Sequence, residues 1–298
     1  PVFITTNTTN LTAFSIEEPN ITLANLRVVA LATADAAIYV SDQGDGANAI
    51  LSNIEVQTNG DDASALWVNQ SGGVATTVYD GDFSSSGLLS NTLLMSSPAA
   101  ILTMTGSTVV SNTNTGYGIY VEGVLTATST SFTSAAPAHA AIYVPSNGAA
   151  TLTNISVVAA LDGIRSNAQG TFTLSGSSST VTASNYAIYM SAAFNQTVSI
   201  DQATLLAGVT GIRSDEAFNS SLLLNRTTIK HYSASGSDGF ALDLSGTPII
   251  NSTLDTNLFC NIGTATPWFT SAVNGAQDGA STFVLANQTN AGAVGTCP

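Results

Sequence analysis

With 19 acidic and five basic residues among 298, the chain carries a formal net charge of −14 and is 8 % charged, against roughly 25 % in an ordinary soluble domain. One lysine and four arginines are too few to neutralise a nucleic-acid backbone or to hold an anionic membrane surface, and no apolar run reaches the roughly 18 residues of a spanning helix. A hydrophobic content of 44 %, with 76 Ser and Thr residues in place of the missing charges, supplies enough apolar surface for a core and argues against wholesale disorder.

Residues 1–20 show no repeat. The chain begins at Pro1 without Met, as a processed or excised product would, and Val2-Phe3-Ile4 reads as part of an extended N-terminal arm or cap.

Residues 21–256 repeat. A small-Ile-aromatic-Val tetrapeptide recurs as Ala37-Ile38-Tyr39-Val40, Ala65-Leu66-Trp67-Val68, Gly118-Ile119-Tyr120-Val121, Ala141-Ile142-Tyr143-Val144 and Ala187-Ile188-Tyr189-Met190. Gly163-Ile164-Arg165-Ser166 and Gly211-Ile212-Arg213-Ser214 are variants, and Thr92-Leu93-Leu94-Met95 and Phe240-Ala241-Leu242-Asp243 are weaker copies. The second positions are spaced by 22–29 residues. Out of phase with this motif runs a second, apolar-x-Asn-apolar-x-apolar: Leu23-Ala24-Asn25-Leu26-Arg27-Val28, Leu51-Ser52-Asn53-Ile54-Glu55-Val56 and Leu152-Thr153-Asn154-Ile155-Ser156-Val157. Asp80, Gly106, Ser129, Gly176, Gln202 and Arg226 hold the Asn slot in the other copies.

The segments are short, β-branched and alternating, which predicts strands. Their connections are rich in Gly, Asn, Asp, Ser and Thr, which predicts turns. A period of 22–29 residues is too short for a propeller blade of about 40 and fits one coil of a parallel β-helix. Stacked coils lie about 4.8 Å apart, so polar side chains at equivalent bends form ladders. Asn25, Asn53 and Asp80 make one, and Arg27, Glu55 and Asp82 make an outward column capable of ion pairing.

These paired motifs resemble the right-handed parallel β-helix proteins of the pectin-lyase-like superfamily, over roughly residues 20–256. The resemblance implies an all-β chain with a single right-handed parallel β-helix of about nine to ten coils. The superfamily includes polysaccharide lyases and hydrolases, viral tailspikes and bacterial surface passenger domains. The composition is closest in flavour to the non-enzymatic passenger type.

Candidate chemistry is sparse. Asn59-Gly60-Asp61-Asp62 looks like the Gly-Asp-Asp motif of β-helical polygalacturonases, but the Gly-His-Gly and Arg-x-Lys partners are missing, and a solvated turn is the favoured reading. Asp42-Gln43-Gly44-Asp45-Gly46 has the density of a calcium loop without the longer ligand series, and it too reads as a turn. Arg165 and Arg213 share a column two coils apart, with Asp162 and Asp215 nearby, an arrangement suited to local charge pairing or to an anion or acidic sugar. His139 and His231 are isolated, so no metal site or cofactor is expected.

The third position of the tetrapeptide is more informative. Alternation puts Ile38 and Val40 on one face and Tyr39 on the other. By the same logic Tyr39, Trp67, Tyr120, Tyr143, Arg165, Tyr189 and Arg213 form an outward stripe, suited to partner contact or to a stabilising ladder.

Residues 257–298 break the repeat and read as a C-terminal cap. Both cysteines, Cys260 and Cys297, fall there. An even pair in a Ser/Thr-rich, lysine-poor chain suggests an oxidising compartment and one disulfide stapling the cap. Ten sequons, at Asn7, Asn10, Asn20, Asn69, Asn154, Asn195, Asn219, Asn225, Asn251 and Asn287, permit glycosylation in a secreted chain. The expectation is a non-enzymatic, secreted or cell-surface structural or adhesive protein: a surface adhesin, a passenger-like stalk or a self-assembling filament subunit. Its expected partners are copies of itself, head-to-tail or lateral, or host and surface glycans. The alternative is a polysaccharide-active enzyme or a carbohydrate-binding, tailspike-like protein.

Overall fold

A computed structural model of the chain describes residues 2–6, 12–31, 36–41, 48–113, 115–167, 171–191, 197–214, 221–231, 240–244, 249–251, 257–261 and 288–290. Among these there is no helix. The strands pair in parallel with their copies one coil away, making a β-solenoid of about eight turns. The sequence expectation of nine to ten coils stands beside this count of about eight. Two compact units divide the chain, residues 1–150 and 151–298.

In the first unit one sheet receives the tetrapeptide strands: Phe14–Ile16, Ala36–Ser41, Ser64–Asn69, Leu93–Met95, Ile119–Val121 and Ile142–Val144. Each pairs with the next. The Asn motif builds the other sheet through strands such as Ala49–Thr58, Ala75–Ser85, Ile101–Thr105 and Thr108–Ser111. Val2–Thr6, in the segment read as an arm, pairs in parallel with Leu26–Ala30. The second unit repeats the arrangement, with Ile164–Ser166, Tyr186–Met190, Thr210–Ser214 and Phe240–Leu244 in the tetrapeptide sheet. At its far end Asn257–Asn261, carrying Cys260, pairs with Thr228–His231. Cys297 lies outside the described residues.

Strand alternation fills the interior. Ile38, Leu66, Leu93, Ile119 and Ile142 are all buried in the first unit, as are Ile164, Ile188 and Ile212 in the second. Opposite them in the first unit runs the column Val56, Phe83, Val109, Phe132, in register through successive strands and buried throughout. Each such side chain contributes about 1.5–3 kcal/mol on leaving water, which offsets about 1–2 kcal/mol of backbone entropy per ordered residue.

The Asn slot turns out to be a backbone device. Asn25, Asn53, Asp80 and Ser129 in the first unit, and Asn154, Gln202 and Arg226 in the second, all have positive φ between 46° and 60°. Gly106 and Gly176 take the same slot with φ of 65° and 96°. This left-handed residue lets the chain turn sharply between two strands of one sheet, and Asn is among the side chains that tolerate it. The asparagine ladder forms between side chains at Asn25 and Asn53: Asn53 Nδ2 donates to Asn25 Oδ1 at 2.7 Å. Asn154 Oδ1 fills the space where a Cβ on Gly176 would come within 2.2 Å. Arg226 reaches back to Asp201 through Nε at 2.9 Å and Nη2 at 2.5 Å.

This corner stays short in nearly every coil. The other two corners vary, and they generate the spread in repeat length; the segment 70–74, between Ser64–Asn69 and Ala75–Ser85, is one of them. Asn53→Ala is expected to cost about 1–2 kcal/mol, the penalty for an alanine held left-handed, and Asn53→Gly clearly less. Urea denaturation of the two variants checks this; equal losses would mean that the amide contact, not the backbone, sets the residue.

Candidate functional site

The outward stripe has the predicted register. In the first unit Ser15, Tyr39, Trp67, Leu94, Tyr120 and Tyr143 lie opposite one another on successive strands. The four aromatic residues are half-buried, between fully buried neighbours. They point outward, and part of each ring is covered by its neighbours. Tyr39 meets Trp67 edge-on at 4.9 Å between centroids, and Tyr120 meets Tyr143 at 5.4 Å. Polar tips are tied down: Trp67 Nε1 donates to Ser96 Oγ at 2.6 Å, and Asn69 Nδ2 donates to the Tyr39 hydroxyl at 3.1 Å. Such ring pairs are worth about 0.5–1.5 kcal/mol beyond the area they bury.

Two residues outside the repeat enlarge this face. Tyr117 stacks on Tyr143 at 4.6 Å with an interplanar angle of 17°. His139 abuts Tyr117 edge-on at 4.6 Å. Both sit on corners before a tetrapeptide strand, where the periodic pattern says nothing about direction. Burial, with the nearby Glu122 and Tyr143, pushes the Tyr120 hydroxyl above its ordinary range, so it stays a neutral donor.

In the second unit Arg165, Tyr189 and Arg213 lie in register with one another on successive strands. The Arg165 guanidinium lies over the Tyr189 ring at 5.0 Å, and that of Arg213 over Tyr186 at 4.9 Å. Arg213 Nη1 also donates to the Tyr186 hydroxyl at 2.6 Å. Tyr186, like Tyr117, lies outside the stripe register. Asp162 is 4 % exposed and accepts from Asn185 Nδ2 at 2.9 Å and from the Tyr186 backbone N–H at 3.4 Å.

Burial holds the Asp162 carboxyl above its ordinary range, against the lowering effect of Asn185, the Tyr186 N–H, Arg165 and Arg213. A carboxyl raised on folding favours the folded state when protonated, below its ordinary range, and that contribution is lost as pH rises through the folded value. Asp162→Asn keeps an Oδ1 acceptor and cannot ionise. It is expected to melt less pH-dependently than the wild type across the acidic range, gaining relative stability toward neutral pH. Parallel pH profiles for the two proteins would refute a raised, buried carboxyl.

The other candidates resolve differently. Asp61 Oδ1 accepts the Leu88 N–H at 2.8 Å, and the Asp62 N–H donates to the Leu88 carbonyl at 2.9 Å, so this pair knits one turn to the next. The residues 42–46 lie outside the described residues, as does Asp215. Arg27, Glu55 and Asp82 do share a column, with an exposed Arg27–Glu55 ion pair at 2.9 Å worth about 0–1 kcal/mol. They line a groove of about 430 Å³ with Asn25, Leu26, Asn53 and Ile54.

Among the sequons, Asn20 and Asn154 are exposed, and Asn69 is half-buried. Asn225 is buried, at 4 % exposed. Asn7, Asn10, Asn195, Asn219 and Asn287 lie outside the described residues, as does the side chain of Asn251. Among the described residues no three His, Cys, Asp or Glu side chains converge as a metal site would require, and no helix is long and apolar enough to cross a membrane.

Compared with protein-family models, with curated proteins and with solved structures, the chain finds no match in any of the three.

Proposed function

We propose that the protein is a non-enzymatic, extracellular structural or adhesive β-solenoid whose outer aromatic and arginine stripe is its contact surface. The observation that carries this reading is the register of Tyr39, Trp67, Tyr120 and Tyr143 on one outer face. Half-exposed aromatic residues in a row are an expensive way to cover a surface unless a partner buries what remains. A surface adhesin, a stalk and a filament subunit use such a face alike, toward another copy or toward surface glycans. The reading includes an oxidising compartment, a Cys260–Cys297 bond and glycans at exposed sequons such as Asn20 and Asn154. The role of Asp61 in holding a turn supports it over a polysaccharide-active enzyme built on that carboxylate pair.

Tyr120→Ala and Tyr143→Ala test it. Each is expected to lose about 0.5–1.5 kcal/mol of stability, the value of an aromatic contact, while self-association or glycan adhesion falls sharply. Thermal melting and a sedimentation or glycan-capture assay on the same samples decide. Unchanged association and adhesion in both variants would leave the stripe a stabilising ladder alone.

A further inference from the structure

We propose that Tyr117 and Tyr143 are a site of oxidative cross-linking, joined ring to ring by a haem peroxidase acting with hydrogen peroxide. This goes beyond the contact reading and does not depend on it. The other described tyrosine pairs are tilted or edge-on, with interplanar angles of 46° to 64°. Tyr117 and Tyr143 alone among them lie nearly parallel, at 17° and 4.6 Å between centroids. Tyr120 touches both, at 6.0 Å and 5.4 Å, and His139 closes the far side of Tyr117. The two rings are therefore held against each other before any reaction, which converts an encounter between radicals into a step within one molecule. Both are half-exposed on the outer face, so an external oxidant reaches them without the fold opening.

The chemistry balances without a bound cofactor. Each phenol gives one electron to the peroxidase and its hydroxyl proton to water, leaving a phenoxyl radical. The two radicals couple through ring carbons ortho to oxygen, forming one carbon–carbon bond. Each ring then moves its displaced ortho hydrogen to restore the phenol. Two hydrogens leave the protein in total, and one hydrogen peroxide is reduced to two waters. Tyr117 stands just before Ile119–Val121 and Tyr143 within Ile142–Val144, and these strands pair directly. The bond therefore staples one coil of the first unit to the next.

The test treats the full chain with a haem peroxidase and hydrogen peroxide, then digests the monomeric fraction. A peptide pair linked through Tyr117 and Tyr143, lighter by two hydrogens than its parts and showing the blue fluorescence of dityrosine, is the expected result. Tyr117→Phe and Tyr143→Phe should each abolish it, and Tyr79→Phe, on the other sheet, should leave it intact. The proposal is overturned if dityrosine forms only between chains or at other tyrosines, or if Tyr143→Phe reacts as the wild type does. Absence of product while free tyrosine in the same mixture couples would overturn it as well.

Discussion

Replacing Gly87 by alanine is expected to destabilise the first unit by about 3 kcal/mol or more, at the upper end of what overpacking does. A Cβ at this position would stand 1.8 Å from the Gly60 carbonyl oxygen, 2.3 Å from its carbon and 2.8 Å from the Asp61 nitrogen. All three are backbone atoms, so no rotamer change relieves the clash, and one turn must move away from the other. That movement breaks what ties them: the Asp61 carboxylate to the Leu88 N–H and the Asp62 N–H to the Leu88 carbonyl. Leu88 and Leu89 are already exposed, so the loosened turn should become a preferred site of cleavage. Urea denaturation gives the loss, and limited proteolysis locates it. A variant that melts within about 1 kcal/mol of wild type, the ordinary range for a mild substitution, would show that the two turns are not packed this closely.

Phe132→Ala is expected to cost about 3–5 kcal/mol, as large-to-small changes at fully buried aromatic positions do. The ring is fully buried, at the end of the column that runs through Val56, Phe83 and Val109. Parallel pairing fixes the strands on either side at their hydrogen-bonded spacing, so the walls cannot close over the space left behind. In a solenoid each coil is held chiefly by its neighbours, so the loss should appear as early melting of the coils around residue 132. Hydrogen exchange on the backbone amides of Thr108–Ser111 and Ser131–Ser134 would show it first. The contrast with Tyr120→Ala, aromatic but outward, is the informative one. Equal losses in the two would contradict the burial pattern on which the stripe rests.

Much of this was legible in the sequence, because a stacked repeat makes every local choice several times. The tetrapeptide alternation placed Ile38 and Val40 inside and Tyr39 outside, and the same holds at Trp67, Tyr120, Tyr143, Arg165, Tyr189 and Arg213. The Asn slot and the Arg27–Glu55–Asp82 column also fell where the period put them. What the sequence concealed lies on the corners of variable length. Tyr117, His139 and Tyr186 complete the aromatic clusters, yet no repeat predicts their direction. In the sequence Asp162 is only a carboxylate near Arg165 and Arg213, and the packing of Asn185 and Tyr186 against it shows it to be buried. The left-handed backbone behind the Asn slot was hidden because the motif looked like a side-chain ladder. Gly106 and Gly176 in the same slot were the available clue, since Gly accepts positive φ freely. The division at residue 150 has no counterpart in composition.

The short left-handed corner has a consequence for how this chain can change length. With that corner fixed, the two strands it joins keep a common phase, and added residues are absorbed at the other corners without slipping any register. The segment Ser71-Gly72-Gly73 is such a place, because it is exposed. A foreign peptide spliced there would lengthen one coil and leave its neighbours in place. The molecule is in this respect a display rack, tolerant of cargo at its variable corners and intolerant of a single extra atom where turn sits on turn at Gly87.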